Sequence, residues 1–194
     1  QHHAAGEKQG RKDVVDAVKA GDYRAIGISG FLPQMPSMLE ISAAIKRECG
    51  SAVIIAGGPA THGCAAFVAS QPGIDYVFHG EGERVLPDIV ARIYSGRSLG
   101  DIDCLTYRAD SGMVSAARHA SVEDINSLPR PAYHLFDVER YCHHNYHGHR
   151  GKRTLDFLCS RGCAHRCVYC INSMRTHGVR YRNIDSIVGE IDFL

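Results

Sequence analysis

Between Ala52 and Ala56 the chain runs Ala-Val-Ile-Ile-Ala, and Gly57-Gly58-Pro59 ends the run at once. A segment this short and apolar at every position has no polar face to turn to water, so it fits a parallel strand covered on both sides. A parallel partner cannot be reached through a tight turn. The chain must cross over, usually through a helix, and the pattern around the run supplies such crossovers. Val14, Val15 and Val18 lie on one face of an expected helix over 11–20 that Gly21 ends. Residues 25–29 read as a strand. Ser37 and Glu40 read as a capping box opening a helix to about Glu48, with Gly50 as its stop. A helix is expected around 63–70, a strand over 75–79, a turn at 80–83 and a helix over 84–94 with Pro87 in its first turns. Strands and helices alternating in this way predict an α/β fold, a doubly wound, flavodoxin-like parallel sheet with helices on both faces.

In such a sheet the ligand crevice lies outside the carboxyl ends of the strands. The turns predicted there are Ser29-Gly30-Phe31, Gly57-Gly58-Pro59 and Gly80-Glu81-Gly82-Glu83. Glycines let backbone come close to a ligand, although turn glycines without a ligand account for the same pattern. Residues 102–108 and 113–118 flank Ala109-Asp110-Ser111-Gly112 as a β-hairpin that extends the sheet edge or packs beside it. Residues 121–131 read as a linker, after which Tyr133, Leu135, Phe136 and Tyr141 return the chain to a packed segment.

The 194 residues are 44% hydrophobic and 22% charged, enough apolar material for one or two globular domains. With a net charge of +1, and Arg150-Gly151-Lys152-Arg153 the only dense basic run, electrostatics points to no nucleic-acid partner. No apolar stretch approaches bilayer length, and eight cysteines without a secretory signal fit a reducing cytoplasm. The chain opens on Gln1 and closes in a helical pattern, Ile187, Val188, Ile191 and Leu194, without a capping glycine or a basic last turn. It therefore reads as a piece of a longer protein.

Cys163-Ala164-His165-Arg166-Cys167-Val168-Tyr169-Cys170 is a CxxxCxxC run preceded by Ser160-Arg161-Gly162. Thiolates of Cys163, Cys167 and Cys170 can converge on a 4Fe–4S cube, and three ligands to four irons leave one iron open to a small molecule. A structural zinc knot is the competing reading, but it ordinarily uses two ligand hooks, and no second hook follows. Cys159 ends the apolar run Leu155 to Leu158 and reads as a strand-end thiol. Cys49, Cys64, Cys104 and Cys142 share no spacing and read as small buried hydrophobes. His143, His144, His147 and His149 have no Asp, Glu or Cys at ligand spacing among them and read as exposed loop histidines, with substrate contact as the other use.

The cysteine run resembles the signature of radical S-adenosylmethionine (SAM) enzymes, in which the open iron chelates SAM. Ile28-Ser29-Gly30-Phe31 followed by Ala56-Gly57-Gly58 is similar to two cobalamin-contacting loops of cobalamin-binding domains, with Phe31 in place of a leucine. Residues 74–83, the proline-punctuated stretch Leu128-Pro129-Arg130-Pro131-Ala132 and Tyr181-Arg182 also resemble cobalamin-binding radical SAM proteins. The resemblance implies a cobalamin-binding domain over 1–100, a hairpin and linker over 101–150, and the start of a radical SAM partial (β/α) barrel over 151–194. The family's first strand, helix and second strand are expected to precede this chain, together with any loop carrying a cobalt-ligating histidine, and most SAM contacts to follow it.

The implied cofactors are a 4Fe–4S cluster on Cys163, Cys167 and Cys170, SAM, with Tyr169 near its adenine, and cobalamin at Ser29, Gly30, Gly57, Gly58, Gly80, Glu81, Gly82 and Glu83. The implied partners are a small-molecule substrate and a one-electron donor such as flavodoxin or ferredoxin. The implied reaction is radical functionalisation of an unactivated carbon, by methyl transfer in the methylating members and by ring closure or rearrangement in others such as porphyrin cyclases. The piece alone is expected to be inactive. Methylthiotransferases carry three further cysteines in an arrangement absent here. A cobalamin- or iron–sulfur-sensing module is the reading outside enzymology.

Overall fold

A computed structural model describes residues 2–142, 154–170 and 178–194. The chain divides into two compact units, Gln1–Val122 and Glu123–Leu194. In the first, helix α1 (His2–Gly21) precedes strand β1 (Ala25–Ser29) and helix α2 (Met35–Glu48). Strand β2 (Val53–Gly57), helix α3 (Ala65–Ala69), strand β3 (Tyr76–Phe78), helix α4 (Leu86–Ser95) and the hairpin β4 (Leu105–Ala109) and β5 (Gly112–Val114) follow.

The strands lie in the order β1-β2-β3-β4-β5. β1, β2 and β3 run parallel, with Ser29 opposite Gly57 and Ala56 opposite Val77. The hairpin extends the sheet antiparallel, Val77 pairing with Thr106 and Arg108 with Met113. Successive side chains of β2 leave on opposite faces. Ile54 and Ala56 join Val15, Val18, Met38, Ile45 and Val68 under α1, α2 and α3. Ile55 joins Phe78, Ile89, Ile93 and Leu105 under α4. Two-sided cover follows from the sequence: Ile54, Ile55 and Ala56 are 0%, 5% and 0% exposed, and burying an isoleucine is worth roughly 1.5–3 kcal/mol.

Helix α2 starts earlier than the capping-box reading places it. Its N-cap is Gln34, Pro36 sits in the first turn, and a 3-10 turn, Leu32–Gln34, precedes it. Proline is pre-organised for that position and needs no N–H there, so the helix gains three residues and Ser37 falls inside it. Gln34 Oε1 accepts from the Phe31 backbone N–H at 2.8 Å. Glu40 is turned instead to Arg11 of α1.

The second unit is smaller. After α5 (Val138–Cys142), strand β6 (Ser160–Arg161) pairs antiparallel with β7 (Arg180–Tyr181), and α6 (Ile184–Phe193) follows, capped by Asn183, whose side chain accepts from Ser186 N. The strand expected to end at Cys159 is not formed: the run Leu155 to Leu158 has no ladder partner among the described residues, and Leu158 is 63% exposed. The ladder begins only at Ser160, where β7 is in reach. His143, His144, His147, His149 and the basic run 150–153 lie outside the described residues.

One charged contact joins three elements of the first unit. Lys46 Nζ of α2 donates to Asp75 Oδ2 at 2.7 Å, to Asp75 Oδ1 at 2.9 Å and to the Ala52 carbonyl at 2.7 Å, while Asp75 Oδ2 accepts from Ile54 N at 2.7 Å. Lys46→Met removes the cation but leaves the stem to pack. Urea unfolding of the variant is expected to show a loss of about 1–3 kcal/mol, and an unchanged midpoint would assign the contact no stabilising role.

Candidate functional site

The parallel register fixes where the predicted loops meet. Because β1, β2 and β3 point the same way, the turns after Ser29, Gly57 and Phe78 emerge at one edge of the sheet. The first two are joined directly: Ala60 N donates to the Gly30 carbonyl at 2.9 Å. Gly58 has φ +78, and a Cβ there would overlap the Ser29 hydroxyl. Glycine at 58 is therefore required by the backbone twist and by the approach of β1's turn, before any ligand is considered. Gly57 sits against Phe78 at the end of β3. Ser29, Phe31 and Leu32 are exposed at this edge, the last two by 67% and 65%.

The third turn is tied to the chain after the hairpin. Gly80 bridges Ala120, Ala120 N donates to the His79 carbonyl at 2.9 Å, and Glu81 N donates to the Ala120 carbonyl at 2.8 Å. Glu81 Oε2 accepts from Val122 N at 2.8 Å, so this carboxylate anchors the end of the first unit. Gly82 packs against Leu86, and its carbonyl accepts from Val85 N and Leu86 N at the start of α4. Glu83 is exposed. Ser29, Gly30, Gly57 and Gly58 thus form one continuous patch of backbone and hydroxyl, while Gly80, Glu81 and Gly82 are largely committed to holding the fold.

A cluster that sequence reading missed stands at the same end of β3. The His119 ring lies 5.1 Å from that of His79 and 5.6 Å from that of His62, centroid to centroid. His79 Nε2 is 2.9 Å from Thr106 Oγ1, which also accepts from Ala116 N at 3.0 Å. Burial first, then the neighbouring His119 and His62, push the His79 pKa down to about 4. This imidazole is neutral at physiological pH. No spacing in the sequence links the three. Only the position of His79 directly before the Gly80 turn was a signal.

In the second unit the CxxxCxxC loop follows β6. Gly162 has φ +93, and a Cβ there would meet the Gly178 carbonyl, so the Ser-Arg-Gly approach needs its glycine where the chain leaves the ladder. Cys163 is exposed, Cys167 and Cys170 are half-buried, and none of the three forms a disulfide. Cys170 N donates to the Cys167 carbonyl at 2.9 Å, closing a turn on which Val168 and Tyr169 are 98% and 90% exposed. No three His, Cys, Asp or Glu side chains converge into a metal-holding group among the described residues. The donor chemistry still fits an iron–sulfur cluster: three exposed or half-buried thiols on one short loop. Cys104 and Cys142 are buried, and burial raises the Cys104 thiol pKa; Cys49 and Cys64 are half-buried against the core. No helix among the described residues is long and apolar enough to cross a membrane.

Residues 3–90 match the B12 binding domain family. The chain is 26% identical over 161 residues to the anaerobic magnesium-protoporphyrin IX monomethyl ester cyclase of Synechocystis sp., covering 82% of this chain and 31% of that protein. It is 24% identical over 185 residues to an uncharacterized methyltransferase of Pyrococcus horikoshii, covering 94% of this chain and 39% of that protein. Its fold matches the radical S-adenosylmethionine methyltransferase TsrM from Kitasatospora setae, solved with cobalamin and a 4Fe–4S cluster bound, with a TM-score of 0.59, 21% identity, and 88% of this chain against 35% of that one. The chain therefore spans less than two-fifths of the length of each. The chain thus joins a segment that matches the B12 binding domain family, residues 3–90, to the CxxxCxxC loop that follows it.

Proposed function

We propose that the chain is part of an enzyme that reductively cleaves SAM at a 4Fe–4S cluster held by Cys163, Cys167 and Cys170, and that functionalises an unactivated carbon of a small-molecule substrate, by methyl transfer. The observation that carries this reading is the union, in one chain, of a B12 binding domain and an exposed three-cysteine loop on a hydrogen-bonded stem. When bound, the cluster supplies the electron that splits SAM into methionine and a 5′-deoxyadenosyl radical, and cobalamin supplies a methyl carrier. We assign cobalamin binding to residues 1–100, the hairpin and linker to 101–150 and SAM chemistry to 151–194. A flavodoxin- or ferredoxin-type donor delivers the electron. A second reading, ring closure without net methyl transfer, is favoured by the cyclase name of the Synechocystis relative.

The chain's own residues divide the tasks. Thiolates of Cys163, Cys167 and Cys170 bind iron, and Tyr169, on the outer side of the same turn, offers ring and backbone to adenine. At the sheet edge, Ser29, Gly30, Gly57 and Gly58 present a surface without bulky side chains, which suits a broad, flat corrin. The Ser29 hydroxyl is placed to donate to a corrin amide oxygen or to the nucleotide tail. Phe31 and Leu32 give the same edge apolar cover. Glu83 contributes an acceptor, whereas the Gly80 to Gly82 backbone shapes the rim and Glu81 holds it through Val122.

Anaerobic reconstitution of the chain, followed by iron and sulfide analysis and EPR, is expected to give one 4Fe–4S cluster per chain. Changing Cys163, Cys167 and Cys170 together to Ala should abolish it, and changing Cys49 or Cys104 should not. A cluster surviving the triple change, or stoichiometric zinc without sulfide, overturns the assignment. Visible-absorption titration with hydroxocobalamin tests the other site. Ser29→Ala is expected to weaken binding about threefold, the size of one neutral hydrogen bond, and Gly58→Val more than tenfold, with circular dichroism confirming that each variant is folded. Unchanged affinity in both removes these loops from the site.

A further inference from the structure

The stem of the cysteine loop is held by one arginine. Arg182, directly after β7, donates from its backbone N to the Cys159 carbonyl at 2.9 Å and from Nη1 to the Leu158 carbonyl at 3.0 Å. Its Nη2 reaches α6, donating to Ser186 O at 3.2 Å and to Ser186 Oγ at 2.8 Å. Both stem carbonyls lie immediately before β6, four and three residues ahead of the Gly162 turn into the cluster loop. Arg182 is in turn fixed by Glu190, one helical segment further on: Nη1 lies 2.5 Å from Glu190 Oε2. Glu190 is 1% exposed, the most deeply buried acidic side chain among the described residues, and its other oxygen accepts from the Tyr133 hydroxyl.

A carboxylate removed from water is costly unless paired; here Oε1 accepts from the Tyr133 hydroxyl, while Oε2 lies against the Arg182 guanidinium as an ion pair without an aligned hydrogen bond. The hydroxyl and the guanidinium outweigh the effect of burial and keep the Glu190 pKa below its ordinary value, while burial and Glu190 push Tyr133 up to about 12. At physiological pH Glu190 is therefore a carboxylate and Tyr133 a neutral hydroxyl. Packing does not provide the same restraint. A cavity of about 250 Å³ lies against the stem, bounded by Pro131, Phe157, Leu158, Arg182 and Glu190 among others. On that side the stem touches hydrogen-bond partners rather than a filled core. The Tyr133 end reaches into the 121–131 stretch, where Arg130 Nη2 donates to Gly189 O at 2.9 Å and Asn126 Oδ1 accepts from Asn183 N at 2.7 Å.

We propose that Glu190 is a positioning residue for the cluster: buried between Arg182 and Tyr133, it locks the Arg182 guanidinium onto the Leu158 carbonyl and so fixes the stem from which Cys163, Cys167 and Cys170 project. The inference rests on the reading of that loop as an iron–sulfur site. It adds that the residue controlling the loop lies far along the sequence, on a helix, and touches neither cysteine nor cluster. A metal site whose ligands sit on an exposed turn depends on such outer contacts for the orientation of its ligands.

The test uses the whole chain and three variants. Glu190→Gln keeps the hydrogen-bonding shape and serves as the conservative rescue. Glu190→Ala strands the arginine. The double variant Arg182→Met with Glu190→Leu replaces the ion pair by apolar side chains of similar volume, a change that preserves folding in comparable buried pairs, but it removes the bond to the Leu158 carbonyl. In cluster-free protein, hydrogen exchange followed by mass spectrometry is expected to show peptides spanning 155–170 exchanging at least tenfold faster in the double variant, with peptides of 25–60 unchanged. After reconstitution, Glu190→Ala and the double variant are expected to retain less than half the wild-type iron and sulfide and to show an altered EPR spectrum and midpoint potential, whereas Glu190→Gln stays close to wild type. Wild-type exchange, cluster content, spectrum and potential in the double variant overturn the positioning role. Failure of the wild-type chain itself to assemble a cluster overturns the iron–sulfur reading, a result distinguishable because the exchange measurement is made without metal.

Discussion

The first unit depends on the two-sided burial of β2. Ile54 and Ala56 go to one face and Ile55 to the other, and none is more than 5% exposed. A strand covered on both faces must have helices on both faces, and crossovers through helices make its neighbours parallel. Parallel strands end together, and so the turns after β1 and β2 share one edge. The site is thus a by-product of how the core is buried. The Lys46–Asp75 contact works at the opposite end of the same strands, fixing where β2 and β3 begin relative to α2.

The second unit solves a different problem. It is small, its ladder is two residues long on each side, and many of its apolar side chains, including Leu158 and Ile184, remain exposed. Hydrophobic burial alone gives such a segment little definition. Its order around β6 comes from polar contacts instead: Arg182 to the stem, Glu190 to Arg182 as an ion pair, the Tyr133 hydroxyl to Glu190, Asn126 to the Asn183 cap and Arg130 to α6. Such restraint suits the role proposed for this loop, the presentation of thiolates, because orientation there matters more than bulk.

Local pattern carried much of this structure. Most helices and strands of the first unit lie close to where periodicity and breakers put them, since a fully apolar five-residue run or a valine stripe at helical spacing has few ways to bury itself. Helix α1 ends at Gly21, as expected, but begins at His2 rather than near Arg11. Two other departures have local causes. Pro36 lengthened α2 past the Ser37 cap, and residues 154–159 did not form a strand because a ladder needs a partner and β7 reaches only Ser160 and Arg161. The Gly80-Glu81-Gly82 turn shows the limit of motif reading: its residue types suit a ligand, yet Glu81 is engaged by Val122 and Gly82 by Leu86.

The sequence by itself determined the alternation of elements, the parallel core and the three-cysteine loop, because each is written in residues adjacent along the chain and follows from backbone geometry and side-chain chemistry at short range. Tertiary structure alone decided which groups meet across long separations. It brought His62, His79 and His119 together at one sheet end, and it placed Glu190 against Arg182 and Tyr133 behind the cluster stem. Those pairings have no sequence period, since they are set by strand register and helix docking. Their energetic weight comes from burial, which exists only once the chain has closed around them.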